Sequence, residues 1–171
     1  DGAIRVDPNR YAFVGEFTEG RAPFKSKDSY KDSKYDPGGK WGFIDAQGNE
    51  VIAAEYAAVD KFSEDFSCVG AAVGKEKAFG FIDRTGNPVS AMDYEGCGRF
   101  FLGHAVVSRN QKAGVIDTHG KGVVEFRFEL LMPLTNGQFA FSTGSSGQRK
   151  LGIMDVLGNV VVAEIYDDIA R

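Results

Sequence analysis

The chain has 171 residues and a formal net charge of −4, which disfavours nucleic-acid binding because contacts to phosphate need a basic surface. Apolar residues make up 43% of the chain, enough for a hydrophobic core, but no apolar run reaches the length of a membrane-spanning helix. The 22 glycines and 14 phenylalanines favour short strands joined by tight turns.

Residues 1–24 are predicted to be a partial structural unit. Ile4 and Val6 are typical of the end of a hairpin, and a turn follows them at residues 7–9. Aromatic and apolar residues then follow at spacings of 3, 3 and 7, a pattern that recurs further along the chain: Tyr11, Val14, Phe17 and Phe24.

Residues 25–39 interrupt this pattern. The interval from Tyr11 to Tyr56 is 45 residues, whereas the later intervals between equivalent aromatics are 38, 34 and 38. The inserted segment is polar, is predicted to be an exposed loop, and contains Tyr30 and Tyr35. Because inserted loops on repeat scaffolds often carry binding, we predict that these two tyrosines contact a partner, together with Trp41 just after the insertion. The alternative is an inert excursion that the scaffold tolerates.

Residues 40–52 form the reference hairpin of the chain. Trp41, Phe43 and Ile44 favour a strand. Asp45 can close the turn by accepting hydrogen bonds from backbone N–H groups two residues on, and Gly48 supplies the positive φ that a turn with a bulge needs. Val51 and Ile52 then resume the strand.

The sequence pattern of this hairpin occurs four times. It consists of Gly, two apolar residues, Asp, two variable residues and Gly. The copies occupy Gly42–Gly48, Gly80–Gly86, Gly114–Gly120 and Gly152–Gly158. Fourteen residues after each first glycine lies an aromatic residue, which we predict to occupy an equivalent core or inter-repeat position: Tyr56, Tyr94, Phe128 and Tyr166. The sequence therefore predicts one β-repeat domain over residues 1–171, with repeats beginning near residues 40, 78, 112 and 150, the last of them incomplete.

The remaining reactive residues are assigned structural roles. Cys68 and Cys97 match no metal-ligand spacing and occupy apolar positions of the repeat, so we predict two reduced, buried thiols; a disulfide is the alternative. His104 and His119 have no cysteine or carboxylate at a metal-ligand spacing, so both are interpreted as surface or structural residues. The four turn aspartates could bind calcium, but their spacing favours turn closure. No catalytic, cofactor-binding or metal-ligating residues are predicted.

Residues Trp41 to Asp45, followed by Gly48, Val51–Ile52 and Glu55–Tyr56, resemble the bacterial WG-repeat (KWG) family. The resemblance covers nearly the whole chain. Tryptophan is found only at residue 41, since the equivalent positions hold Phe79, Ala113 and Leu151. The resemblance implies an all-β fold of paired hairpins stacked as an open twisted array, with a closed propeller-like ring as the alternative.

The expected function is a non-catalytic binding scaffold that engages a protein or cell-surface partner. The alternative is an aromatic-lined site for a small molecule or carbohydrate, with the possibility of catalysis in a site assembled in space. A flat aromatic patch favours the first function, and a deep cleft with convergent acids favours the second. Residue 1 is Asp, so a signal peptide could have been removed, and a cell-envelope or secreted location is favoured over the cytoplasm.

Overall fold

The computed structural model describes residues 10–27, 40–73, 76–144, 147 and 149–169. Over these residues the chain forms 15 β-strands and no helix, which confirms the predicted all-β class. The described part thus contains no helix of the length and hydropathy needed to cross a membrane. The strands form four antiparallel sheets, none of which closes on itself, in agreement with tandem hairpins in an open arrangement.

The chain divides into two compact units, of which the first is Asp1–Met92. It contains a four-stranded sheet of order β1-β2-β3-β4 and a three-stranded sheet of order β5-β6-β7. The strands are β1 Tyr11–Val14, β2 Arg21–Ser26, β3 Trp41–Asp45, β4 Glu50–Tyr56, β5 Ala58–Val59, β6 Phe66–Val73 and β7 Glu76–Asp83. Residues 25 and 26, at the start of the predicted insertion, therefore belong to β2.

The second unit, Asp93–Arg171, also contains two sheets. Their strand orders are β8-β9-β10-β11 and β12-β13-β14-β15. The strands are β8 Gly96–Cys97, β9 His104–Arg109, β10 Lys112–Asp117, β11 Gly122–Phe128, β12 Leu130–Pro133, β13 Phe139–Ser142, β14 Leu151–Met154 and β15 Val160–Tyr166.

Each repeat hairpin turns as predicted. The four turn glycines have positive φ: Gly48 at 83°, Gly86 at 90°, Gly120 at 73° and Gly158 at 85°. In the reference turn the Gly48 N–H donates to the Asp45 carbonyl oxygen at 3.0 Å. Asp45 Oδ1 accepts from the backbone N–H of Gln47 at 2.9 Å and of Asn49 at 2.8 Å. The glycine thus permits the backbone conformation of the turn, and the carboxylate stabilises it.

The same turn also contacts the repeat before it. A Cβ placed on Gly86 would lie 3.4 Å from Ile52 Cγ1, and one placed on Gly158 would lie 3.3 Å from Val124 Cγ2. Ile52 and Val124 occupy equivalent positions in β4 and β11, and both are buried. The turn of one hairpin therefore covers an apolar residue of the preceding hairpin within each unit.

Each unit has its own hydrophobic core. In the first unit, one cluster is centred on Phe43, Phe62 and Val69, and another on Tyr11, Phe24 and Ile44. The core of the second unit includes Phe128, Phe141, Met154 and four further buried residues. Phe43 and Ile44 are neighbours in β3 and both are buried, so the first sheet buries apolar side chains on both of its faces near this strand.

The repeated aromatics are equivalent in register, but their burial differs. Tyr56, Phe128 and Tyr166 lie opposite Trp41, Ala113 and Leu151, the residues that precede the repeat glycines. Tyr94 and Phe128 are buried and Tyr56 is half-buried. The prediction of a covered position is wrong for Tyr166, which is 48% exposed, because the last strand carries exposed apolar side chains along most of its length.

The prediction of reduced cysteines is also wrong. Cys68 and Cys97 are both disulfide-bonded, and the chain has no free cysteine. Cys68 is buried and Cys97 half-buried. Both cysteines occupy positions that hold apolar residues in the other repeats. The spacing therefore indicated buried side chains and gave no sign of the disulfide.

Gly48→Ala should lower the free energy of unfolding by about 1 kcal/mol or more, because an alanine side chain disfavours the left-handed conformation. Urea unfolding measures this loss. Gly122→Ala is the matched control, since Gly122 has open space around it and a φ outside the left-handed region. An equal loss in both variants would contradict the role of the turn.

Titration of the unfolded, unreduced protein should find no free thiol. Reduction should destabilise the fold by roughly 2–4 kcal/mol, because a disulfide restricts the unfolded chain. Thermal unfolding with and without reductant measures the change, and the Cys68→Ser, Cys97→Ser double variant should be insensitive to reductant. A wild-type melting temperature that reductant leaves unchanged would contradict the expectation.

Candidate functional site: an aromatic row on the first sheet

Four residues form a row across the first sheet, one from each strand. Phe13 of β1 lies opposite Lys25 of β2, Lys25 lies opposite Trp41 of β3, and Trp41 lies opposite Tyr56 of β4. Residues directly opposite each other in antiparallel strands place their side chains on the same face. We call this set of four residues the aromatic row.

The aromatic row combines apolar rings with a cation and is only partly covered. The Phe13 and Trp41 rings meet edge to face, with centroids 5.7 Å apart and planes at 72°. Lys25 Nζ lies 5.6 Å from the centre of the Trp41 ring, within the range of a cation–π contact. Phe13 is 52% exposed, and Trp41 and Tyr56 are half-buried. Rings that pack on one another without being covered are the kind of surface that binds partners.

The equivalent rows of the other sheets differ. The second sheet has Ala58, Gly70 and Phe79 at the corresponding places, and the third has Gly96, Ser108, Ala113 and Phe128. In the fourth sheet Leu130 lies opposite Ser142, and Leu151 opposite Tyr166. Within the described residues, a lysine between two aromatic side chains therefore occurs in the first sheet and in none of these equivalents.

Of the three predicted partner-binding residues, Trp41 lies in the aromatic row. Tyr30 and Tyr35 fall outside the described residues. The ends of the segment that carries them are described, and the Ser26 N–H donates to the Lys40 carbonyl oxygen at 3.0 Å. The segment thus leaves and rejoins the sheet one residue beyond Lys25 and Trp41.

A cleft of about 410 Å³ begins at the Tyr56 end of the aromatic row. It is lined by Glu55, Tyr56, Ala71, Ile82, Gly86, Pro88 and Met92. The sequence analysis missed this cleft, although most of these residues lie at recurring positions of the repeat. Its lining contains a single carboxyl group, so the convergent acids that would favour the enzymatic alternative do not line it.

The turn aspartates act as turn closers. Asp83 Oδ1 accepts from the backbone N–H groups of Thr85 at 2.8 Å and Asn87 at 2.9 Å, and from Thr85 Oγ1 at 2.6 Å. Asp117 Oδ1 accepts from the N–H groups of His119 and Lys121. The described residues contain no group of three or more acidic, His or Cys side chains placed to hold a metal ion.

These hydrogen bonds lower the pKa of each turn aspartate. For Asp45 and Asp155 the largest cause is the side-chain amide of an asparagine four residues on, and for Asp117 it is the N–H of Lys121. For Asp83, partial burial raises the pKa, but the hydrogen bonds from Thr85 and Asn87 outweigh it. Ionised carboxylates are therefore part of the folded turns.

Comparison with known proteins places these hairpins in one class, that of tandem β-repeat proteins. The family model described as "WG containing repeat" matches residues 41–70, 79–112 and 114–142, more than half of the chain. The chain belongs to this WG-repeat family, which suggests a repeat-based binding module. No curated protein matches the chain.

Acid should unfold the protein through these turns. A carboxylate whose folded-state pKa lies below its ordinary value of 3.8 stabilises the fold above that pH, and the contribution is lost as the pH falls through the folded-state pKa. Asp83→Asn keeps an acceptor oxygen but does not ionise. It should therefore weaken the dependence of the unfolding free energy on pH between about pH 5 and about pH 2.

Urea unfolding over a pH series measures this dependence. Glu76→Gln, at an exposed position of β7, is the control that removes one carboxylate outside the turns. The same flattening in both variants would contradict the assignment to the turn.

Proposed function

We propose that this protein is a non-catalytic binding scaffold whose aromatic row engages a protein partner. The observation that carries the proposal is the pair of an exposed Phe13 and a half-buried Trp41, with Lys25 over the indole ring. Tryptophan at the centre of a patch is typical of residues that dominate protein interfaces, because it buries a large area with few rotatable bonds.

A protein partner fits this surface better than a carbohydrate. Sugars bind flat on exposed ring faces, whereas the Phe13 ring meets Trp41 at 72° and Lys25 lies over the indole face. Both features leave a ridged surface, on which a partly apolar patch of another protein can pack more closely than a flat sugar ring.

The inserted segment that carries Tyr30 and Tyr35 is proposed to extend the same binding surface. The support is its attachment, because its ends leave and rejoin the sheet beside Lys25 and Trp41. Tyrosines in a polar run can add contact area beside an aromatic ridge while keeping a hydroxyl group in water.

A cell-envelope or secreted location is proposed for the scaffold. The disulfide supports this location, because disulfides persist in oxidising compartments and are rare in the cytosol.

Quantitative affinity capture with purified candidate partners tests the proposal. Trp41→Ala should weaken binding by at least about thirtyfold, the loss expected when a central anchor is removed, and Phe13→Ala should weaken it less. Phe101→Ala is the matched control, since Phe101 is 41% exposed and lies outside the aromatic row.

Each variant must first show an unchanged circular dichroism spectrum and a melting temperature near that of the wild type. Wild-type affinity in Trp41→Ala would contradict the proposal. Competition by oligosaccharides, with no protein captured, would favour the carbohydrate alternative.

A further inference from the structure

The second unit contains a filled version of the cleft that stands open in the first unit. There, the guanidinium carbon of Arg109 lies 5.0 Å from the Tyr94 ring centre and 5.0 Å from that of Phe126. The two rings are stacked, with centroids 6.2 Å apart and planes at 27°. Arg109 Nη2 pairs with Asp93 Oδ1 at 2.6 Å. Two ring faces and one carboxylate therefore hold this guanidinium group.

The walls of the open cleft are the repeat equivalents of these residues. Tyr56 and Tyr94 each lie fourteen residues after a repeat glycine, with Glu55 and Asp93 immediately before them. Met92 and Phe126 each lie twelve residues after a repeat glycine.

The packing agrees with this equivalence. A Cβ on Gly80 would overlap Met92 Sδ, and one on Gly114 would lie 3.1 Å from Phe126 Cδ1. Met92 and Phe126 thus cover the same place on their hairpins.

The largest difference between the two sites is the residue that fills the space. Gly70 lies opposite Phe79 as Ser108 lies opposite Ala113, and the next residues along the strands are Ala71 and Arg109. Ala71 lines the open cleft. An alanine in place of an arginine thus leaves about 410 Å³ between an acid, a tyrosine and a methionine.

We propose that this cleft binds a guanidinium group, and that its ligand is an arginine side chain of a partner polypeptide. Glu55 takes the role of Asp93, the face of Tyr56 takes that of Tyr94, and Met92 replaces Phe126. The inference goes beyond the proposed function, because it concerns the cleft beside the aromatic row and a different ligand chemistry. The two sites share Tyr56, but the cleft can bind a guanidinium group whether or not the aromatic row binds a protein.

The electrostatics of the cleft are consistent with this assignment. Burial raises the pKa of Tyr56, and the neighbouring Glu55 carboxylate raises it further. The Tyr56 hydroxyl group therefore stays protonated and neutral beside the carboxylate. The site combines one negative charge with polarisable and aromatic walls, and it suits a flat, weakly hydrated cation better than a compact ammonium.

The binding test uses blocked single amino acids as probes: N-acetyl-arginine amide, its neutral isostere N-acetyl-citrulline amide, and N-acetyl-lysine amide. Amide and methyl NMR spectra of the whole chain report the site through Gly86 and Met92. The arginine probe should shift these signals in a saturable way at millimolar concentration. The citrulline probe should bind at least about fivefold more weakly, since it lacks the charge.

Three variants localise the binding. Glu55→Gln should weaken binding of the arginine probe about fivefold, because the negative charge is lost. Ala71→Arg should abolish binding by filling the cleft as Arg109 fills its own. Arg109→Ala should create a new site, seen as arginine-dependent shifts at Phe126.

Several results would overturn the inference. They are no saturable shift at Gly86 or Met92 with the arginine probe, equal binding of arginine and citrulline, or unchanged binding in Ala71→Arg. Because Trp41→Ala leaves the cleft walls in place, it should retain the arginine probe. The two proposals can thus fail separately.

Discussion

The structure depends on the carboxylate-closed turn that ends the first strand of each repeat hairpin. One aspartate accepts hydrogen bonds from the backbone N–H groups two and four residues on. A glycine with positive φ allows the chain to reverse direction. This compact turn then lies against an apolar strand residue of the preceding hairpin, as Gly86 lies against Ile52. One local device therefore sets the hairpin register and provides part of the contact between consecutive repeats, which single hairpins need in order to bury their apolar faces.

Because the hairpins share one backbone arrangement, single substitutions at equivalent positions create different surfaces. In the first sheet, Phe13 and Lys25 replace small or aliphatic residues of the other rows, and with Trp41 they form a partly exposed aromatic ridge. At the next recurring position, Ala71 or Arg109 decides whether the space beside a tyrosine is open or filled. Both candidate sites follow from how one repeat departs from the others.

The sequence predicted what local chemistry determines. The Asp and Gly spacing identified all four turns, and the apolar and aromatic residues Trp41, Phe43 and Ile44 identified the strand Trp41–Asp45. Burial of Tyr166 was mispredicted because it depends on what covers β15. The spacing of residues along the repeat does not determine that. The disulfide was missed because thiol pairing depends on tertiary geometry. The cleft could have been found, since Ala71 and Arg109 are 38 residues apart, one repeat interval.

Equivalent positions of the repeat are equivalent in space, so exchanging one residue should exchange the local site. A crystal structure of the Ala71→Arg variant tests this most directly. The account predicts a new guanidinium group over the Tyr56 ring, paired with Glu55, in the geometry that Arg109 adopts over Tyr94 beside Asp93. A new side chain directed into solvent, with the cleft open beneath it, would contradict the account.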